Sequence, residues 1–138
     1  MQKLTPNLSG ILDARFGGDN VIAFATLDGR FPTVRNVDAY YENGAFYIIT
    51  NADSDKMKQL ARNASCAVSG EGFRAQGIGI SLGFVGAEEN RELFAKLRRT
   101  FTEWPDNGLP DRKTIILKVR LTNGVLFSEG KRYDIDFT

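Results

Sequence analysis

Residues 45–60 read AFYIITNADSDKMKQL. An apolar run, 45–49, stops abruptly at Thr50, Asn51, Asp53 and Ser54, and an amphipathic segment begins at once behind them. The run has the aromatic and β-branched content of a strand. Behind it, Met57, Leu60 and Ala61 recur at helical spacing, which predicts a helix over about 54–62. A helix that starts at the end of a strand leaves its first amides without partners. Asp53 or Ser54 is an ordinary type of residue to cap them. The same amides carry the partial positive charge of a helix start and suit an anion equally well. Thr50 and Ser54 would add hydroxyl donors, Asn51 an amide donor and Lys56 a full positive charge. Spacing alone leaves both readings open, because no glycine-rich P-loop or dinucleotide fingerprint accompanies the segment.

Working outward, turn signals fall at LDGR (27–30), ENGA (42–45), TNGV (122–125) and SEGK (128–131). Asn-Gly and Asp-Gly pairs supply the positive φ angles of tight hairpins. Extended segments are predicted between them at 21–27, 33–41, 45–50, 114–121, 125–127 and 133–137. Ile115, Leu117, Val119 and Leu121 fall on one face, with Ile116, Lys118 and Arg120 on the other. A further strand pair is expected over 66–82, where Gly70, Gly72, Gly77, Gly79 and Gly83 imply bends, bulges or close backbone approach. A second helix is expected over 87–101, with a stripe of Leu93, Phe94, Leu97 and Phe101. Glu88 and Glu89 open it and Arg98 and Arg99 close it, as its dipole favours. Residues 102–112 read as a loop. The expected fold is mainly β, a small antiparallel barrel or sandwich with two short helices in one domain spanning 1–138.

A hairpin turning at Asn43-Gly44 pairs residues whose numbers sum to a near-constant value. A regular register would set Arg35 beside residues 50–53, bringing a second cation towards Lys56.

Composition narrows the chemistry. The chain has 138 residues, 42% hydrophobic and 25% charged, which is globular and long enough to bury a core. A formal charge of +1 gives no bulk attraction to nucleic acid or an acidic membrane. No window has the length of a membrane span, and the N-terminal stretch does not read as a signal peptide. The lone Cys66 rules out an internal disulfide and points to a reducing, cytoplasmic setting. The chain has no histidine, which removes histidine-based nucleophile pairs, histidine metal sites and a histidine-held haem. No metal site is expected. An enzyme of this composition would draw its chemistry from a cofactor. Cys66 reads as a core residue, Trp104 and Tyr133 as aromatic edges of a core or caps over a ligand ring, and Gln76 as a residue that could reach a ligand carbonyl.

TNADSDK, preceded by AFYII and followed by MKQLARNASCAVS, resembles the cofactor segment of the pyridoxamine 5'-phosphate oxidase-like FMN-binding proteins. ATLDGRFPTVRNVDAYYENGAFYIIT is similar to that family's run of three strands. GEGFRAQGIGI and VRLTNGVLFSEGKRYDIDF resemble its small branch near the nitroimidazole-reductase-like proteins. The resemblance spans about 10–137. It implies a six-stranded antiparallel split barrel of Greek-key type, forming a homodimer with FMN in a cleft at the subunit interface. It also implies that Arg35 and Lys56 bind the phosphate with Thr50 and Ser54, and that Asn36, Val37 and Ile49 offer backbone atoms to the flavin. Asn51 matches the motif, either as a ligand or as a turn former. The chain departs from the family at Asp55, where the oxidase has a second cation, and at Ala64-Ser65. It also lacks the segment that recognises pyridoxal substrates. The implied activity is therefore flavin-dependent oxidoreduction of another small molecule, with an electron donor. The alternative is a carrier or sensor of a flavin, deazaflavin or related phosphate-bearing ligand.

Overall fold

Three of the four expected turns reverse the chain in the computed structural model, which describes residues 1–101 and 111–138. Gly29 (φ 62°) turns strand β2 (Asn20–Asp28) into β3 (Phe31–Glu42). Asn43 and Gly44 (φ 48° and 78°) turn β3 into β4 (Ala45–Asn51). Glu129 and Gly130 (φ 50° and 77°) do the same between β7 (Thr114–Ser128) and β8 (Lys131–Asp136). Two successive positive φ angles are the signature of the hairpin turn whose twist matches its strands.

The fourth turn does not form. Asn123-Gly124 lies inside β7, which runs unbroken from Thr114 to Ser128. Its register against β6 (Phe73–Phe84) slips between Gln76 and Gly77, leaving Thr122 as an extra residue. That bulge bends β7, so one edge pairs with β4 before it and with β8 after it. Gly124 is needed here for space: a Cβ would lie 2.9 Å from the Arg74 carbonyl oxygen and 3.0 Å from the Ala75 Cβ.

Strands β7, β4, β3, β2, β5 (Ser65–Gly70) and β6 pair in that order, and β6 pairs back onto β7, closing a six-stranded antiparallel barrel. β5 returns beside β2 after three consecutive strands, a Greek-key arrangement. β8 and the short β1 (Gln2–Lys3) extend the sheet beyond the bulge.

Among the described residues three α-helices accompany the barrel, against the two expected. The unexpected one is α1 (Pro6–Phe16), capped by Thr5, whose Oγ1 accepts from the Leu8 amide, with Pro6 at its first position. Leu8, Leu12 and Phe16 are buried from α1 into the barrel core with Ile22, Phe24, Tyr41, Phe46, Ile48, Leu117, Val119, Leu121 and Leu126. Helix α2 (Asp55–Arg62) adds Leu60 to that core. The helix expected over 87–101 is split. A 3-10 turn (Glu88–Asn90) precedes α3 (Arg91–Thr100), because the buried Asn90 amide donates to the carbonyls of Leu82 and Phe84. Leu93, Phe94, Leu97 and Phe101 pack over the outer face of β4 and β7, covering Tyr47, Ile49 and Ile116. Most of the expected loop over 102–112, with Trp104, lies outside the described residues. No described helix is long and apolar enough to cross a membrane.

Candidate functional site: a cationic cluster where the barrel opens

The ladder between β3 and β4 is short. It joins Glu42 to Ala45, Tyr41 to Phe46 and Tyr40 to Tyr47, and then the strands separate. The regular register expected for Arg35 therefore fails. The paired stretch of β3 towards Arg35 follows β2, with Arg35 opposite Phe24, while β4 follows β7, with Thr50 opposite Ile115. Among the described residues, the β3 edge from residue 33 to 39 and the β4 edge from Ile48 onward have no strand partner on the side where they part. Backbone groups on such edges remain available to another partner. Asn36 and Val37 lie on one of these edges, and Ile49 and Thr50 on the other.

Helix α2 brings the cations together where the ladder does not. Lys56, half-buried, donates from Nζ to Thr50 Oγ1 at 2.8 Å. Arg35 reaches the next turn of the same helix, donating from Nη2 to Gln59 Oε1 at 3.3 Å. Burial, and then the nearby Arg35 charge, push the Lys56 pKa down, with Asp55 opposing. Burial also lowers the Arg35 pKa, again opposed by Asp55. Neither cation forms an ion pair with a carboxylate among the described residues. Asp53, the other acid of the segment, is turned away and held by Lys113 at 2.6 Å, which keeps its carboxyl below the usual range.

Ser54 occupies the N-cap position of α2 with extended backbone but makes no side-chain cap. Its Oγ is buried and has no hydrogen-bond partner among the described residues. A buried hydroxyl without a partner carries a desolvation cost of about 1–3 kcal/mol, which a ligand oxygen would relieve. Asn51 has a local duty: its Oδ1 accepts from the Asp53 amide at 2.8 Å, shaping the turn into the helix. The arrangement thus offers two cations with no ion pair among the described residues, an unpartnered hydroxyl and an uncapped helix start, drawn from β3 and the β4–α2 segment. It is suited to a phosphate.

Three participants escaped the sequence reading. Thr26, only 1% exposed, accepts from Arg35 Nη1 at 2.7 Å, and Thr33 accepts from Nη2 at 2.9 Å. Gln59 Oε1 accepts from both threonines as well as from Arg35. Of the side residues considered, Cys66 is buried in the core, where desolvation pushes its thiol up to about 12. Tyr133 packs against the same core, and Gln76 is exposed on β6 opposite Asn123. No described group of three Cys, Asp or Glu side chains could hold a metal.

A separate cleft of about 380 Å³ lies on the outer side of β2, lined by Ala23, Ala25, Val34, Ala67, Arg74 and Gln76 among others. Val21, Phe31 and Val34 on the β2–β3 hairpin are 65%, 69% and 69% exposed.

No protein-family model matches the sequence, and no curated protein matches it. Solved structures do. A candidate pyridoxamine 5'-phosphate oxidase from Listeria innocua superposes with a TM-score of 0.66 at 14% identity, covering 91% of this chain and 97% of its own. A NimC/NimA family protein from Clostridium acetobutylicum gives 0.65 at 18% identity, covering 91% and 92%. A FAD-binding protein from Mesorhizobium loti gives 0.63 at 14% identity, covering 88% and 92%. A heme binding protein from Mycobacterium smegmatis and an F420 reductase match as well. At such identities the likeness defines the fold. The chain has the split-barrel fold of the pyridoxamine 5'-phosphate oxidase-like proteins.

Proposed function

We propose that the protein binds FMN at the opening between β3 and β4 and acts as a flavin-dependent oxidoreductase on a small molecule. The observation that carries this reading is the pair of cations, Arg35 and Lys56, which form no ion pair among the described residues and share the site with the unpartnered Ser54 hydroxyl. The residues fit a phosphate-bearing flavin. Lys56, Ser54, Thr50 and the first amides of α2 would hold the phosphate, with Arg35 behind them. The free strand edges at Asn36, Val37 and Ile49 offer backbone donors and acceptors to a heterocycle. When bound, a flavin supplies hydride or electron transfer. The chain's own residues bind it, orient it and place positive charge near its anionic end.

A second reading is binding without turnover, as a carrier or sensor. It is favoured by the ionisable groups of the cluster, which are the two cations and Asp55, with no histidine or thiol among them. The matched structures include FAD, heme and F420 proteins by name, so the class of ligand is open to test. Mass spectrometry of the ligand retained by native protein should find FMN, and a retained haem would overturn the reading. Reduction by NADH or NADPH, followed by reoxidation with an acceptor, separates an enzyme from a carrier.

The functional unit proposed is a homodimer. Val21, Phe31 and Val34 are apolar and exposed next to a cleft floored by alanines, which supports a second copy as the occupant. Light scattering should report twice the 15.3 kDa chain mass. A monomer that binds FMN fully would exclude an interface site.

A further inference from the structure

Arg35 is more constrained than a ligand-gripping arginine needs to be. Nη1 donates to the Phe24 carbonyl oxygen at 3.3 Å and to Thr26 Oγ1 at 2.7 Å. Nη2 donates to Thr33 Oγ1 at 2.9 Å and to Gln59 Oε1 at 3.3 Å. Each terminal nitrogen carries two N–H groups, so both are fully occupied and only Nε is left. The guanidinium also lies 6.0 Å from the Phe24 ring centroid.

All four acceptors are uncharged. A carboxylate in the place of Gln59 would make the same hydrogen bond and cancel the charge. An amide holds the guanidinium in position and leaves its charge intact. Gln59 Oε1 is the hub of the arrangement, since Thr26 and Thr33 also donate to it, at 2.5 and 2.8 Å. Those bonds orient both hydroxyls so that their lone pairs face Arg35.

We propose that Gln59, acting through Thr26 and Thr33, is the positioning residue that fixes Arg35 as an immobile charge behind the anion site. Direct contact with the anion then falls to Lys56 and Ser54. This inference rests on the anion-site part of the function proposed above and is independent of which phosphate-bearing molecule occupies the site. The position is a specificity element because its charge state decides whether the cluster attracts or ignores a phosphate. Gln59→Glu differs from the native side chain by one atom type yet adds a full negative charge against Arg35.

The test uses the full chain and inorganic phosphate at constant ionic strength, read as the dependence of the unfolding temperature on phosphate concentration. Wild type should be stabilised by phosphate. In Gln59→Glu the apparent dissociation constant should rise on the order of tenfold or more, as expected when an added negative charge cancels the fixed positive charge behind the anion. Gln59→Met, which removes the acceptor and adds no charge, should weaken phosphate by a smaller factor and keep the response. Wild-type phosphate affinity in Gln59→Glu, or a wild-type protein indifferent to phosphate, overturns the proposal. If Gln59→Glu does not fold, wild-type affinity in Gln59→Met overturns it. A merely structural role would shift FMN and riboflavin binding together, whereas loss of fixed charge shifts FMN alone. Phosphate-responsive protein that binds neither flavin retains this inference and refutes the flavin reading.

Discussion

Two seams of the barrel behave in opposite ways. β6 and β7 stay paired from Phe73–Leu126 to Phe84–Ile115, absorbing irregularities at Gln76/Gly77 and Ser81/Phe84. β3 and β4 separate once past Tyr40–Tyr47. The long seam is held by glycines that let backbones approach, with Gly77 facing the Arg120 carbonyl and Gly124 the Arg74 carbonyl. The short seam gathers Arg35, Thr50, Ser54 and Lys56 around its open end. Backbone pairing is continuous along one seam, and the candidate binding groups gather where it is missing on the other. The split supplies free backbone edges and a helix start at one place, which a fully zipped barrel could not.

The sharpest way to break the closed seam is Gly77→Ala. Its Cβ would sit 2.7 Å from the Arg120 carbonyl oxygen and 3.2 Å from Val119 Cγ1, and backbone cannot yield as a side-chain tip can. The expected loss is about 2–3 kcal/mol in urea unfolding, with flavin affinity of the folded fraction unchanged. Gly79→Ala is a milder control, because its Cβ would meet the side-chain methyls of Leu60, which shift more readily than backbone.

Lys56→Ala attacks the open seam. It should cost little stability but weaken FMN on the order of ten- to a hundredfold, through loss of a charge-assisted hydrogen bond of about 1.5–3 kcal/mol. Unchanged affinity with the fold intact would return the segment to an ordinary helix start.

A pH series sharpens the same contrast. Burial, and then Arg35, hold the Lys56 pKa below its ordinary 10.5. As pH rises through the lowered value, the folded chain gives up this proton before the unfolded chain does. Between that value and 10.5, the unfolded state therefore binds more protons, and the Lys56 contribution to stability increases with pH. A phosphate favours the protonated lysine, so FMN affinity should fall over the same window. Lys56→Met should remove both trends, checked by unfolding and FMN titrations from neutral pH to 10.5. The smallest effect is expected for Asp55→Asn, a tightening of FMN by a small factor that fades as salt screens it.

Much of this was legible in residues. The turns at Gly29, Asn43-Gly44 and Glu129-Gly130 were readable because positive φ leaves a mark on composition. Asn123-Gly124 carries the same mark for a different reason, since Gly124 admits the Arg74 carbonyl, and sequence does not separate the two uses. Helix α1 went unread because Asn7, Ser9, Gly10 and Asp13 dilute its apolar face. Its signal was the Thr5-Pro6 start followed by Leu8, Leu12 and Phe16 at intervals of one turn. The Asn43-Gly44 turn does not place Arg35, because β3 and β4 part at Tyr40–Tyr47, before its register reaches that far. The Asp28-Gly29 turn gives the observed pairs, Phe24 with Arg35 and Thr26 with Thr33. Gln59 could not be reached by any ladder, since it arrives on a helix packed against the barrel mouth.

The central claim is that the open seam holds a phosphate, and paired titration of one preparation with FMN and riboflavin tests it most directly. The two ligands share the same ring system and ribityl chain and differ in the phosphate alone. FMN is expected to bind tighter on the order of tenfold or more, with the advantage shrinking as salt is raised. Equal affinity for the two, insensitive to salt, would contradict the account.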